Sequence, residues 1–377
     1  MTSIQKKKDN RKKNILIVNG YLDIGGAERV LTLLANSLCT SFNVYFVILE
    51  DSKTQLFELS KKVEVIRLNI EIERKSASEM GFFKAISYYN YCANKISTLA
   101  TELSIDLVIA FNDREVFLCW LAFRRRRDIK LLFSQRNAPS SKPFRINEAL
   151  RYIYRKCDCA VFQLEQVRAF YGLEESSKAF IIENPIKIPL KLYVPNEREH
   201  KIIGVGRLVD QKRFDVLIYA FKIFHSSHPD YVLDIYGKGP NQRKLEELVR
   251  TLELTKYVDI LSPIPNVMEN NKNAKMFVLS SDYEGIPNVV IEAMASGIPC
   301  ITTNCLPGGG KLVSNNGKCA LLVETGNPQA LADAMDLYAN NDELVKNNTE
   351  KSFLYIDRFS ENIVFKKWFN VINGLLN

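Results

Sequence analysis

The sequence is poor in residues that build metal centres. Its three histidines and eight cysteines form no Cys-x-x-Cys pair and no spacing of the kind that holds zinc. Cys157 and Cys159, the closest pair, are one residue apart and too near for an ordinary disulfide. With Cys39, Cys119 and Cys300 in apolar surroundings, the thiols read as reduced core residues. No apolar run approaches the length of a membrane-spanning helix; ILIV at Ile15 and VYFVILE at Val44 are strand-sized. The basic start, Lys6 to Lys13, is followed by only four apolar residues before Asn19, too few for a secretory leader. It reads as an exposed tail on a cytoplasmic protein. No zinc-finger or RNA-recognition signature accompanies the net charge of +8, so nucleic acid is not an expected partner. An aspartate pair of the DxD sort, which would hold a divalent metal beside a diphosphate, is also missing.

What is present is alternation. Short apolar runs (NILIVNG, NVYFVILE, VEVIRLNI, DLVIAFND, KLLFSQRN, CAVFQL, KAFIIENPI) are separated by stretches with helical spacing. Between Asn184 and His200 three prolines interrupt any period, and the alternation then restarts with KIIGVGRL. The pattern predicts two α/β domains, each a doubly wound parallel sheet: residues 1–186, a linker at 187–200, and a second domain over 201–350. In such sheets ligands bind beyond the carboxyl ends of the strands, and paired domains face their clefts together.

Several features fall at strand-to-helix turns. Gly25 and Gly26 precede a helix start, where backbone amides meet an anion or where glycine merely makes a turn. After Gly206, Arg207 and Lys212 share one loop, and their position suits a diphosphate better than a plain exposed basic loop. Gly237 and Gly239 form a GxG too short for a dinucleotide fingerprint, and Gly308 to Gly310 add another glycine-rich turn. In SDYEGIPNVVIEAMASG, Glu284 hangs in the loop and Glu292 lies about one turn into the helix that begins near Asn288, behind Pro287. Carboxylates at a cleft mouth accept bonds from adjacent hydroxyls, while the free amides of the helix start suit phosphate. The set describes a nucleoside diphosphate carrying a polyhydroxyl group. Without a metal, Arg207, Lys212 and helix amides must neutralise the leaving charge.

These residues resemble family 4 glycosyltransferases. The resemblance rests on Gly206-Arg207-Leu208 with Gln211-Lys212, the Glu284-x7-Glu292 block, GGAERV, SQRNAPS and NPI at Asn184, and it spans nearly the whole chain. It implies the GT-B fold, retention of configuration and no metal or other cofactor. The donor site would comprise Gly206, Arg207, Lys212, Glu284, Gly285, Ile286, Pro287, Asn288 and Glu292. Arg207 and Lys212 would hold the diphosphate, Glu284 the transferred sugar and Glu292 the ribose; Glu284, Arg207 and Lys212 would carry catalysis. Gly25, Gly26, Asn112 and Asp113 would form the acceptor side, and residues 351–377 a helix crossing back to the first domain. Relatives carry a histidine where this chain has Asn112 and Asp113, an acidic residue where it has Lys311, and a glycine where it has Ser262.

The resulting expectation is a hexosyl or N-acetylhexosaminyl transferase using a nucleotide sugar, with a UDP-sugar favoured. Its acceptor would be a lipid-linked glycan of surface polysaccharide synthesis. Lys6 to Lys13 and Arg124 to Arg127 suit the anionic inner face of a membrane, or read as solvated surface; the ALRYIYRK helix would help docking or pack in the core. A transferase with a soluble acceptor and a non-catalytic nucleotide-sugar-binding scaffold are the alternatives.

Overall fold

The computed structural model describes residues 11–20, 26–50, 58–68, 70, 82–136, 138–139 and 142–377; Gly25 and Lys6 to Lys8 lie outside them. Seven strands form the first sheet: β1 (Asn14–Asn19), β2 (Asn43–Ile48), β3 (Val63–Arg67), β4 (Leu107–Ala110), β5 (Lys130–Gln135), β6 (Cys159–Phe162) and β7 (Ala179–Ile181). Between them run α1 (Gly26–Leu38), α2 (Phe82–Glu102), α3 (Asp113–Phe123), α4 (Phe144–Lys156) and α5 (Glu165–Phe170). The second sheet has six: β8 (Glu199–Val205), β9 (Val232–Tyr236), β10 (Val258–Leu261), β11 (Ala274–Leu279), β12 (Cys300–Thr303) and β13 (Leu321–Val323). Its helices are α6 (Phe214–His225), α7 (Gln242–Thr251), α8 (Val267–Asn270), α9 (Asn288–Ala295), α10 (Gly309–Val313), α11 (Pro328–Asn340) and α12 (Asp342–Ile356), and α13 (Glu361–Leu376) ends the chain.

All strand pairs within both sheets are parallel. The orders are β3-β2-β1-β4-β5-β6-β7 and β10-β9-β8-β11-β12-β13. The central strands are apolar on both faces because helices cover both. Ile15 and Ile17 face the layer of α1 and α13, while Leu16 and Val18 face the layer of α2 and α3. Strand order reverses between β1 and β4, and again between β8 and β11. Such switch points open a crevice above the strand ends. In the second sheet the crevice lies between the loops that carry Arg207–Lys212 and Glu284.

All eight cysteines are buried and free. The second sheet begins two residues earlier than the alternation predicts, at Glu199. The basic start is not wholly an exposed tail: Arg11 Nη2 lies 3.0 Å and Lys13 Nζ 3.3 Å from Asp106 Oδ1. Helix α3 ends at Phe123, so the four arginines follow it rather than extend it. Among the described residues no helix is long and apolar enough to cross a membrane.

The chain crosses between the domains twice. Ile186 N donates to Phe359 O at 2.8 Å where the outgoing and returning segments meet. Helix α13 then packs on the first sheet, its buried Trp368 stacked 5.7 Å from Phe111. Glu183, 2% exposed, accepts from Arg358 Nη2 at 2.7 Å and Lys367 Nζ at 2.6 Å. Burial pushes its carboxyl up, but the bonds from Lys367, Arg358 and the backbone outweigh that and hold it below the ordinary 4.5. A carboxyl with a lowered folded pKa stabilises fully above its unfolded value. This contribution declines below pH 4.5 and is gone once pH passes beneath the lower folded value. Glu183→Gln should therefore cost about 1.5–3 kcal/mol at pH 7, because two partly exposed cations lose their bonds to a buried carboxylate. It should also flatten the acid limb of a denaturant-midpoint titration; an unchanged limb would remove Glu183 from the clasp.

Candidate functional site

The site grows from two loops of the second domain. Arg207 follows β8, and the chain then turns through a 3-10 segment, Asp210–Lys212, to Arg213, which adopts a left-handed conformation (φ 48°, ψ 42°). That turn sends Lys212 toward the cleft and Arg213 away from it. Lys212 Nζ donates to Glu284 Oε1 at 2.6 Å, and both side chains are only 12% exposed. Ser281 Oγ donates to the same oxygen at 2.8 Å, and neither bond uses Oε2. The lysine passes directly over Gly206, where a Cβ would stand 3.1 Å from Lys212 Cε. A side chain there would push the ammonium off its partner.

Four further bonds hold the loops in register. Asp282 N donates to Gln211 O (3.0 Å), Gln211 Nε2 to Tyr283 O (2.7 Å), Ser280 Oγ to Lys212 O (2.8 Å) and Arg213 Nη1 to Asp282 Oδ2 (3.0 Å). From the other side, Glu284 N donates to Leu306 O at 2.7 Å. The α10 turn packs so closely that a Cβ on Gly309 would meet Gly285 O at 1.7 Å. Helix α9 starts at Asn288 with Pro287 as its cap residue; Val290 N donates to Pro287 O at 3.0 Å, which leaves the amides of Asn288 and Val289 without intrahelical partners.

A cavity of about 330 Å³ lies over these loops, lined on this side by Arg207, Gln211, Tyr283, Glu284, Gly285, Ile286 and Asn288. The first domain closes it with Gly26, Ala27, Arg136, Ala138, Gln163 and Asn184. The domains touch there: Asn184 Nδ2 donates to Asn288 Oδ1 at 2.8 Å, and Gly26 faces Asn288 closely enough that a Cβ would lie 3.6 Å from its Nδ2. Asn184 Oδ1 accepts from Arg136 Nη1 at 3.0 Å and from Gln163 Nε2 at 2.5 Å, which fixes its amide. Burial pushes the Arg136 guanidinium down to about 9.

Gly26, Arg207, Glu284, Gly285, Ile286 and Asn288 thus share one cavity, with Lys212 bonded into its wall. Gly206, Lys212 and Pro287 belong to the bordering loops without lining the cavity, and three other expected residues stand apart from it. Glu292 points across the interface instead and pairs with Arg29 of α1. Asn112, with φ 54°, places Nδ2 3.5 Å from Glu28 Oε1. Asp113 accepts from Gln135 Nε2 at 3.1 Å and lies 3.1 Å from the buried Lys142 Nζ. Sequence reasoning assigned no role to Arg136, Gln163 and Asn184. Their signal was the polar residue closing each of the runs KLLFSQRN, CAVFQL and KAFIIENPI.

Residues 191–354 match the family model for Glycosyl transferases group 1. The second domain is therefore similar to the group 1 glycosyl transferases. The match takes in the Arg207 and Glu284 loops and α9. An uncharacterized glycosyltransferase of Haemophilus influenzae is 24% identical over 351 residues, which cover 92% of this chain and 96% of that protein. The GalNAc-α-(1→4)-GalNAc-α-(1→3)-diNAcBac-PP-undecaprenol α-1,4-N-acetyl-D-galactosaminyltransferase of Campylobacter jejuni is 24% identical over 370 residues, 96% of this chain and 99% of that one. A variant of S. aureus TarM, crystallised with fondaparinux, α-GlcNAc-glycerol and UDP, superposes with a TM-score of 0.78 over 96% of this chain and 100% of that one, at 14% identity. The two parallel-sheet domains are those of the GT-B fold.

The Arg29–Glu292 pair reports how the second domain meets the first. Both side chains are partly exposed, at 37% and 25%, so solvent screens the pair. A double-mutant cycle with Arg29→Met and Glu292→Gln should return a coupling of about 0.2–1 kcal/mol at low salt. That coupling should shrink as salt is added. Zero coupling at every salt concentration would show that the two side chains do not meet in solution.

Proposed function

We propose that this chain is a retaining glycosyltransferase of family 4. It moves a hexose or N-acetylhexosamine from a nucleotide sugar, a UDP-sugar by preference, to a lipid-linked glycan acceptor of surface polysaccharide synthesis. One observation carries the reading: a buried lysine–glutamate pair, Lys212 with Glu284, in the wall of a cavity that Arg207 and the start of α9 also line. Lys212, Arg207 and the α9 amides supply positive charge where a diphosphate leaves, so a metal is not needed for neutralisation. Glu284, pinned through Oε1, offers Oε2 to a sugar hydroxyl. Glu292 receives the ribose hydroxyls on giving up its pair with Arg29, which holds it away from the cavity in the free protein. In a front-face reaction the acceptor oxygen bonds to the anomeric carbon on the side the phosphate leaves. The departing phosphate oxygen takes the acceptor's proton, and the protein's part is positioning and charge neutralisation.

The acceptor class is supported by the undecaprenyl-diphosphate-linked acceptor of the Campylobacter relative, and the uracil base by the UDP in the TarM complex. The surface of α4 fits it as well. Leu150, Ile153 and Tyr154 turn inward, whereas Phe144, Ile146 and Tyr152 are 76%, 46% and 58% exposed. Trp120 of α3 packs edge-on against Tyr152, and beyond α3 the side chains of Arg124, Arg125 and Arg127 are exposed. Apolar side chains beside free arginines suit an anionic lipid surface.

UDP-sugars incubated with the protein and no acceptor should slowly release UDP. Lys212→Met should reduce that rate by about 10²–10³, in line with losing one preorganised donor. Glu292→Ala should instead weaken UDP binding. Silence across UDP-sugars with every glycan acceptor tried would favour the scaffold reading; turnover with soluble sugars alone would favour a soluble acceptor. Vesicle co-sedimentation checks the surface: binding should require anionic lipid, fade with salt and fall in a Phe144→Ser/Ile146→Ser variant. Equal binding to neutral vesicles would contradict it.

A further inference from the structure

Arg136 is 7% exposed, and two of its nitrogens, Nε and Nη2, have no hydrogen-bond partner among the described residues. Leaving a buried charged donor unpaired costs more than leaving a neutral one so. The position is nonetheless well built. The guanidinium carbon sits 4.6 Å over the Phe111 ring and 5.5 Å over that of Trp368. Nη1 is held by Ile182 O at 3.3 Å and Asn184 Oδ1 at 3.0 Å. Faces and one end are therefore fixed, and what is left is the Nε–Nη2 edge. That edge presents two parallel N–H groups, the geometry that grips a carboxylate or phosphate with two bonds.

The surrounding charge points the same way. The carboxylate whose field reaches Arg136 is Glu183, which Arg358 and Lys367 already hold. Arg358 Nε is likewise buried without a partner among the described residues. Three cations thus share one carboxylate beside the cleft. Arg136 belongs to the cavity wall opposite Arg207, and the Gly285 loop lies against it: a Cβ on Gly285 would come within 3.1 Å of Arg136 O.

We propose that Arg136 anchors an oxyanion subsite on the first domain's wall of the cleft, taking a phosphate or carboxylate group of the acceptor. Calling that substrate the acceptor rests on the glycosyltransferase reading, in which Arg207 and Lys212 hold the donor's diphosphate on the other wall. Because the free edge is closed to solvent, the oxyanion enters by displacing the neighbouring wall.

The test is Arg136→Met, titrated calorimetrically beside the wild type with UDP, then with pyrophosphate and separately glucuronate after saturation with UDP. Expected is a loss of tenfold or more in affinity for pyrophosphate, glucuronate or both, with UDP affinity within twofold. Which probe is affected separates phosphate from carboxylate. The melting temperature should fall with either probe present or absent, since Ile182 O and Asn184 Oδ1 lose the Nη1 donor, so the affinities are the readout. Arg136→Lys, which keeps charge but not the two-pronged edge, should recover only part of the binding. The proposal falls if the wild type binds neither probe, if the Met variant binds both unchanged, or if only the melting temperature drops. A tenfold loss of UDP affinity would assign the anion to the donor and overturn the acceptor subsite. If UDP fails to bind the wild type, the glycosyltransferase reading fails separately. The Arg136-dependent part of pyrophosphate binding to the free protein still reads the subsite.

Discussion

The bond between Lys212 and Glu284 is the constraint on which the cleft depends. Each residue alone, 12% exposed at the carboxyl ends of the two central strands, would be a charge stripped of much of its water. Together they are tolerable, and they bring a loop from β8 against a loop from β11. Everything nearby serves that approach: Gly206 clears the lysine's path, Arg213 turns left-handed so that the lysine faces inward, and Ser281 adds a second donor to the same carboxylate oxygen. A pair that is held this firmly keeps its charge in place with no ligand bound. Preorganisation of that kind is what a site needs if it is to neutralise charge developing on a leaving group.

A second constraint is the return of the chain to the first domain. Helix α13 brings Trp368 and Lys367, and the 3-10 turn before it Arg358, to the ends of β4, β5 and β7. There they surround Glu183 and Arg136, and Arg136 fixes Asn184, which reaches Asn288 at the start of α9. The C-terminal helix thereby supports the first domain's wall of the cavity, although none of its residues lines that wall. The Arg29–Glu292 pair adds a second bridge from α1. Closure of the cleft and the shape of the nucleotide end are thus linked through side chains rather than through the linker.

The two sheets were legible in the sequence because strands covered on both faces read as unbroken apolar runs, and NILIVNG or KMFVLSS has few other ways to be buried. The loops were legible because glycine and charge cluster at strand ends. What sequence could not convey was direction. Glu292 stands at the expected place on α9 but turns to Arg29, a partner 263 positions away. Asp113 occupies a strand end, yet Lys142 and Gln135 claim its carboxylate. Arg136 looked like an ordinary polar residue closing a strand. Its burial against Phe111 and Trp368 depends on a helix more than 200 residues downstream, which no local pattern encodes.

The central claim is that these two loops form a nucleotide-sugar site. A crystal structure with UDP bound tests it most directly. The account predicts the diphosphate within hydrogen-bond distance of Arg207 and Lys212 and the ribose hydroxyls on Glu292. UDP bound elsewhere, or a diphosphate out of reach of Lys212 while that residue stays on Glu284, would contradict it.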